Sequence, residues 1–163
     1  MSRPLSPYEY LLYASSNNNA QNCVFYLELE QPIETDIIER HLNRLIEQYD
    51  VLNSIICCQQ LPHWVNKTTR IPIKNSYSNS ILDEINSELK SRFNINESAS
   101  IKARSITVSS KQNLLINFHH LIIDATSGYK FCNDLLLSVF SPTKTAKPNH
   151  RKIPDSIEKM LNI

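Results

Sequence analysis

Two adjacent histidines, His119 and His120, end an apolar run that starts at Leu114, and Asp124 follows four residues after the second. The polar turn Ala125-Thr126-Ser127-Gly128 comes next and holds the only glycine of the chain. No other stretch gathers as much proton-transfer chemistry into so few positions. A neutral imidazole, with a pKa of about 6.5, suits a general base that takes a proton from a hydroxyl, amine or thiol near neutral pH. Successive strand residues point to opposite sides, so only one of the two histidines can enter a given cavity. The other packs or hydrogen-bonds behind it. Asp124 could form a salt bridge or orient nearby backbone. Two strand-end histidines satisfied by backbone contacts alone would explain the same residues without any chemistry. A metal site is poorly supported, because a side-by-side pair cannot chelate and no further histidine lies close in sequence.

The elements that must position this segment can be read from periodicity. Ile101–Val108 and Leu114–His119 read as two strands of a hairpin joined by a five-residue loop at 109–113. Thr126 or Ser127 caps a following helix whose inward residues are Cys132, Leu135, Leu136, Val139 and Phe140. Upstream, Ser6-Pro7-Tyr8-Glu9 forms a capping box with proline at the first helical position, which predicts a helix over 7–14 with Tyr8, Leu11 and Leu12 on its apolar face. Residues 23–30 alternate as a half-buried strand. Ile38, Leu42, Leu45, Ile46 and Tyr49 mark an amphipathic helix over 36–49. A strand over 51–60 follows, with 62–65 as its hairpin partner, and Ile71-Pro72-Ile73 fits only a sheet edge. Ser80 caps a helix running to about Phe93, with Ile81, Leu82, Ile85 and Leu89 on its buried side.

With 163 residues, 41% hydrophobic and 20% charged, the chain can bury one domain's core. Its 17 basic and 16 acidic residues give no whole-chain case for nucleic acid or a membrane surface. No apolar run approaches the roughly 18 residues a membrane span needs. The four cysteines include no Cys-x-x-Cys, so reduced thiols in the cytoplasm are expected. A single glycine excludes Gly-rich phosphate loops and leaves turns to Asn, Ser and Pro. Residues 141–154, with three prolines and a basic group, read as an exposed linker, and 155–163 as the start of another apolar-periodic piece.

His119-His120-Leu121-Ile122-Ile123-Asp124-Ala125 resembles the His-His-x-x-x-Asp-Gly signature of the chloramphenicol-acetyltransferase-like acyltransferases, which include the condensation domains of nonribosomal peptide synthetases. Three further segments resemble that family in order: Leu5-Ser6-Pro7 with Glu9, Tyr49–Ile55 at the Arg-His-x-x-Leu-Arg-Thr position, and Phe93-Asn94-Ile95 with Ser100–Ala103 before the hairpin. The resemblance implies an α+β sandwich, with helices packed on a mixed, mostly antiparallel sheet. Residues 1–140 would form the N-terminal half-domain, followed by the linker and the start of a second half that this sequence does not contain.

The resemblance also implies an activity. An acyl group would pass from a thioester, on coenzyme A or a phosphopantetheinyl carrier protein, to an acceptor hydroxyl or amine of a small molecule. By position, His120 matches the general base, His119 the structural histidine, and Asp124 an aspartate that pairs with an arginine to hold the site's shape. Ser127 and the amides opening the last helix would lie near the substrate. No bound cofactor and no metal are implied. The site would be completed by a second acyltransferase half or an oligomer partner, in a pathway of secondary metabolism. The alternative is a non-catalytic remnant that binds or scaffolds. Two departures stand out: Ala125 replaces the motif glycine, and Asn53 stands at the arginine position, which leaves Arg104 as a candidate cation for Asp124.

Overall fold

The computed structural model describes residues 2–16, 18–58 and 61–141. Two sheets carry the chain. The larger has four strands in the order β2 (Asn22–Glu28), β7 (Lys111–His119), β6 (Ile101–Val108) and β5 (Ile73–Tyr77). The smaller has three, in the order β1 (Ser2–Pro4), β4 (His63–Asn66) and β3 (Ser54–Cys57). Every pairing is antiparallel except β5 with β6, which run parallel with Ile73 opposite Ala103. Four helices pack on these sheets: α1 (Pro7–Ser16), α2 (Thr35–Ile46), α3 (Ile81–Lys90) and α4 (Ala125–Phe140). This is the α+β arrangement expected, a mixed and mostly antiparallel sheet with helices against it.

The β7 strand decides where the core lies. Leu114, Ile116 and Phe118 face α2 and α4 and join Ile38, Leu42, Phe131 and Leu135 in the main apolar cluster. Alternate residues turn the other way, so Asn113 and Asn117 meet the opposite face. There α3 lies across the sheet as the crossover between β5 and β6. Its end is held by polar groups. The Asn22 side-chain amide donates to the Glu88, Leu89 and Ser91 carbonyls, and the Asn117 amide donates to the Glu88 carbonyl and carboxylate. Lys102 donates to the Arg92 carbonyl. These groups satisfy the carbonyls that every helix leaves open at its C-terminus. The apolar face expected on α3 is therefore corrected: Glu88 is its buried residue, and Leu82 lies exposed.

Other boundaries also shift. The helix expected over 36–49 stops at Ile46, and a 3-10 turn at Asp50–Asn53 takes the place of the first part of the strand expected from 51. The hairpin loop shrinks to Ser109-Ser110, both at positive φ (48° and 68°), with β7 starting at Lys111. That is the two-residue geometry matching strand twist, here managed without glycine. The helix expected to reach Phe93 ends at Lys90. On α1, Tyr8 and Leu11 are exposed although placed on an apolar face, whereas Leu12 packs against a second apolar cluster. Phe140 is likewise exposed at the end of α4. The capping box of α1 is present: the Ser6 amide donates to the Glu9 carboxylate, and the Glu9 amide donates to the Ser6 hydroxyl. The linker after Ser141 and the piece at 155–163 lie outside the described residues.

Candidate active site

His119 closes β7, one of the two inner strands of the larger sheet, opposite Asn22 of β2, with its amide donating to the Ser100 carbonyl at 2.9 Å. The next amide, of His120, donates to the Gln21 carbonyl at 2.8 Å, and the chain then turns, with the Ile122 amide donating back to His119. Two apolar anchors hold this turn from different sides. Leu121 enters the cluster of Ile56, Trp64 and Ile95, while Ile123 enters the main core. Each such burial contributes roughly 1.5–3 kcal/mol, so the turn is fixed by packing as well as by hydrogen bonds.

The two imidazoles differ as strand alternation requires. His119 is buried, 2% exposed, and its ring meets the edge of Phe93 with centroids 5.9 Å apart. Its Nδ1 accepts the Leu121 amide at 3.1 Å, which places the ring proton on Nε2. Burial, aided by the neighbouring His120, pushes its pKa down to about 4, so it is neutral at pH 7. His120 is exposed. Its Nδ1 lies 3.0 Å from the Ile123 carbonyl. A carbonyl only accepts, so Nδ1 carries the proton and the neutral ring keeps its lone pair on Nε2. A general base needs that tautomer, held in orientation by a backbone acceptor.

Of the two roles open to Asp124 in the sequence, the structure shows the backbone one, in place of the arginine pairing that the resemblance implies. Asp124 is the N-cap of α4: its Oδ1 accepts the Ser127 amide at 2.7 Å, and its carbonyl accepts the Gly128 amide. The Ser127 amide, then the Ser127 hydroxyl, hold its carboxyl below the usual carboxylate range, and the nearby His120 adds to this. The carboxylate is exposed and needs no buried cation. Arg104 instead pairs with Glu84 at 2.9 Å and Glu88 at 3.4 Å. Asn53 turns back to donate to the Ile46 and Tyr49 carbonyls and so closes the end of α2. The expected capping by Thr126 or Ser127 is corrected in the same way. Ala125 opens α4 without positive φ, so a side chain is tolerated where the related motif has glycine.

Ser127 is exposed on the first turn of α4, close to His120 in sequence, but its amide is already taken by Asp124. It therefore cannot double as an oxyanion donor. Three contributors escaped sequence reading. Gln21 pins the His120 backbone, and Phe93 walls the His119 ring. The third is Gly128, where a Cβ would overlap the Phe25 ring. It lets α4 approach β2 closely, and its being the only glycine, inside a helix, was the available signal. Among the described residues no group of three His, Cys, Asp or Glu could hold a metal, and no helix is long and apolar enough to cross a membrane.

The family model described as "Condensation domain" matches residues 5–145. No curated protein matches the chain in sequence. Among solved structures, the starter condensation domain of the rhizomide synthetase RzmA superposes with a TM-score of 0.77 at 14% identity, covering 99% of this chain and 44% of that one. A variant of that domain in complex with C8-CoA gives 0.74 at 13%, covering 91% and 37%. The X-domain of teicoplanin biosynthesis, in complex with OxyB, gives 0.75 at 13%, covering 90% and 34%. The present chain thus spans well under half the length of these similar structures.

Proposed function

The chain belongs to the condensation-domain family, and from that membership we propose that it is one half of an acyl-transfer enzyme, with His120 as its general base. The observation that carries this reading is the His120 ring: exposed and held through Nδ1 onto the Ile123 carbonyl, so that Nε2 is left free to accept a proton. In the proposed reaction a small-molecule hydroxyl or amine attacks the carbonyl carbon of an acyl thioester. His120 Nε2 takes the proton as the new C–O or C–N bond forms. The tetrahedral intermediate then expels the thiolate, and the imidazolium returns the proton to the leaving sulfur. Acyl product and free thiol result, and no redox step is needed.

His119 acts in this scheme as a positioning residue, neutral and packed, holding the Leu121 amide and with it the turn. Asp124 positions α4 through its cap. Ser127 sits at the mouth of the same turn and is proposed to contact substrate through its hydroxyl. The donor is proposed to be an acyl-coenzyme A, the class bound by the rhizomide synthetase relative, or an acyl group on a carrier protein's pantetheine arm. Because the similar structures are more than twice as long, a second half or an oligomer partner is proposed to supply the opposite wall. The N-terminal half-domain is proposed to be residues 1–140, followed by a linker at 141–154; the family model matches residues 5–145. Four unpaired cysteines, Cys58 among them exposed, suit the reducing cytoplasm in which we place it.

A scaffolding role is the competing reading, favoured by one observation: a similar fold, the teicoplanin X-domain, occurs in complex with a partner protein. The two readings separate in one experiment. The chain is purified with whatever polypeptide completes it, and thiol release from acyl-coenzyme A is followed with an amine acceptor. Acyl transfer predicts turnover that falls on the order of a hundredfold or more in His120→Ala. Equal turnover in variant and wild type, or none in either, supports the scaffold.

A further inference from the structure

The far face of the smaller sheet carries a pair of side chains that neither the core nor the histidine turn uses. Ile56 and Trp64 lie opposite each other on β3 and β4 and face the turn, in the apolar cluster that holds Leu121. Alternation sends their neighbours the other way, so Cys57 and His63, also directly opposite, share the far face with Ile55 and Val65. All four are half-buried, and Ile55, Cys57 and Val65 join neither apolar cluster. Directly opposed residues of an antiparallel pair have Cβ atoms about 4.5–5.5 Å apart, within reach of one shared ligand. His63 Nδ1 lies 2.9 Å from the Leu61 carbonyl. A carbonyl only accepts, so Nδ1 carries the proton and the neutral ring keeps its lone pair on Nε2. The Cys57 thiol is free and makes no hydrogen bond among the described residues. Cys58, the next residue, is engaged elsewhere: its Sγ meets the Tyr13 hydroxyl at 2.7 Å and the Asn96 amide at 3.4 Å.

We propose that Cys57 Sγ and His63 Nε2 together bind copper(I) as a two-coordinate thiolate–imidazole site. Thiolate sulfur selects this soft ion, and imidazole suits copper as well. A backbone carbonyl behind the other ring nitrogen is the partner that metal-ligating histidines use to fix their tautomer and orientation. The number of ligands decides which ion fits. Among the described residues no group of three His, Cys, Asp or Glu could hold a metal, whereas a structural zinc takes four ligands. Copper(I) is satisfied by two in a near-linear arrangement. On binding, the Cys57 S–H bond breaks, a Cu–S bond forms and the proton passes to water. The ion keeps its oxidation state, so no redox partner enters the step. One thiolate and one monovalent cation leave a neutral site, which suits a half-buried face flanked by Ile55 and Val65. This site lies across the sheet from the Leu121 turn, and its test does not depend on acyl transfer.

The test titrates the full chain, kept reduced and free of oxygen, with copper(I) against a chromophoric copper(I) chelator, while NMR follows the histidine ring nitrogens. Saturable binding is expected with a shift at His63 Nε2 and none at His120. Silver(I), a soft ion that also accepts two ligands, should compete for the site, and zinc should bind far more weakly. Cys57→Ser and His63→Gln should each weaken copper(I) binding by about tenfold or more, with Trp64 emission checking that the fold is kept. Cys58→Ser should bind as wild type does. Three results would each overturn the proposal, and the first two need no variant: an unmoved His63 ring in the wild-type chain, zinc held more tightly than copper(I) by a dimer of the chain, or binding lost with Cys58→Ser and kept with Cys57→Ser.

Discussion

Acidification should reach the fold through His119 before it reaches most carboxylates. In the unfolded chain this imidazole titrates at its ordinary 6.5, and in the native protein at about 4. Between those values the unfolded state binds a proton that the folded state refuses. Stability therefore rises with pH through this window, is fully present above 6.5, and is lost as pH falls toward 4. At about 1.36 kcal/mol per unit, the linkage integrates to about 2 kcal/mol between pH 7.5 and 5. That is a large share of the roughly 5–15 kcal/mol that holds a domain together. The single tryptophan, Trp64, is 1% exposed, so its emission reports unfolding directly. Urea titrations at pH 7.5 and 5 should show the midpoint falling. His119→Asn keeps an acceptor for the Leu121 amide but cannot titrate, so its loss over the same interval should be smaller by about that 2 kcal/mol. His41, whose pKa is also held low, is unchanged in both proteins and cancels in the difference. Equal losses in variant and wild type would refute the argument that burial keeps His119 neutral.

Two other substitutions test the turn. Gly128→Ala pushes a methyl into the Phe25 ring and should cost about 1–3 kcal/mol in urea denaturation, with part of it recovered in the double variant carrying Phe25→Leu. Asp124→Ala removes an exposed helix cap and should cost about 1 kcal/mol, not the 3–5 kcal/mol expected on breaking a buried ion pair. Because the native carboxyl is held below its ordinary value, the cap's contribution is present above that value and disappears as pH falls below it, so the two proteins should converge in stability in strong acid.

Much of this architecture was open to sequence reading where one physical signal dominated. The β6 strand keeps its expected limits, with buried Ile101, Ala103 and Ser105 alternating with half-buried Lys102 and Arg104. The α1 capping box was equally plain, since it needs only residues six to nine. Errors arose where distant groups compete. For Asp124 the residues alone left a salt bridge and a backbone role open, and the choice between them rests on the Ser127 amide, which is positioned only once the helix start forms. On α3, Leu82 and Leu89 have helical spacing, yet Asn22 and Asn117 on remote strands draw Glu88 inward instead. The opposite directions of His119 and His120 followed from strand period alone. Which of the two carries a free Nε2 required the Ile123 carbonyl, visible only once the turn is folded.

The position of the histidine pair at the end of β7 has a consequence for what holds the site in place. β7 is the one strand of the larger sheet that is antiparallel to neighbours on both sides, and its side chains run into the core on one face and under α3 on the other. Opening its backbone would require breaking hydrogen bonds to both neighbours. His119 is thereby fixed as the last residue of a doubly paired strand, and His120 follows it in a turn held by the Gln21 carbonyl. The placement of the two rings is therefore tied to the pairing of the larger sheet rather than to a separate loop.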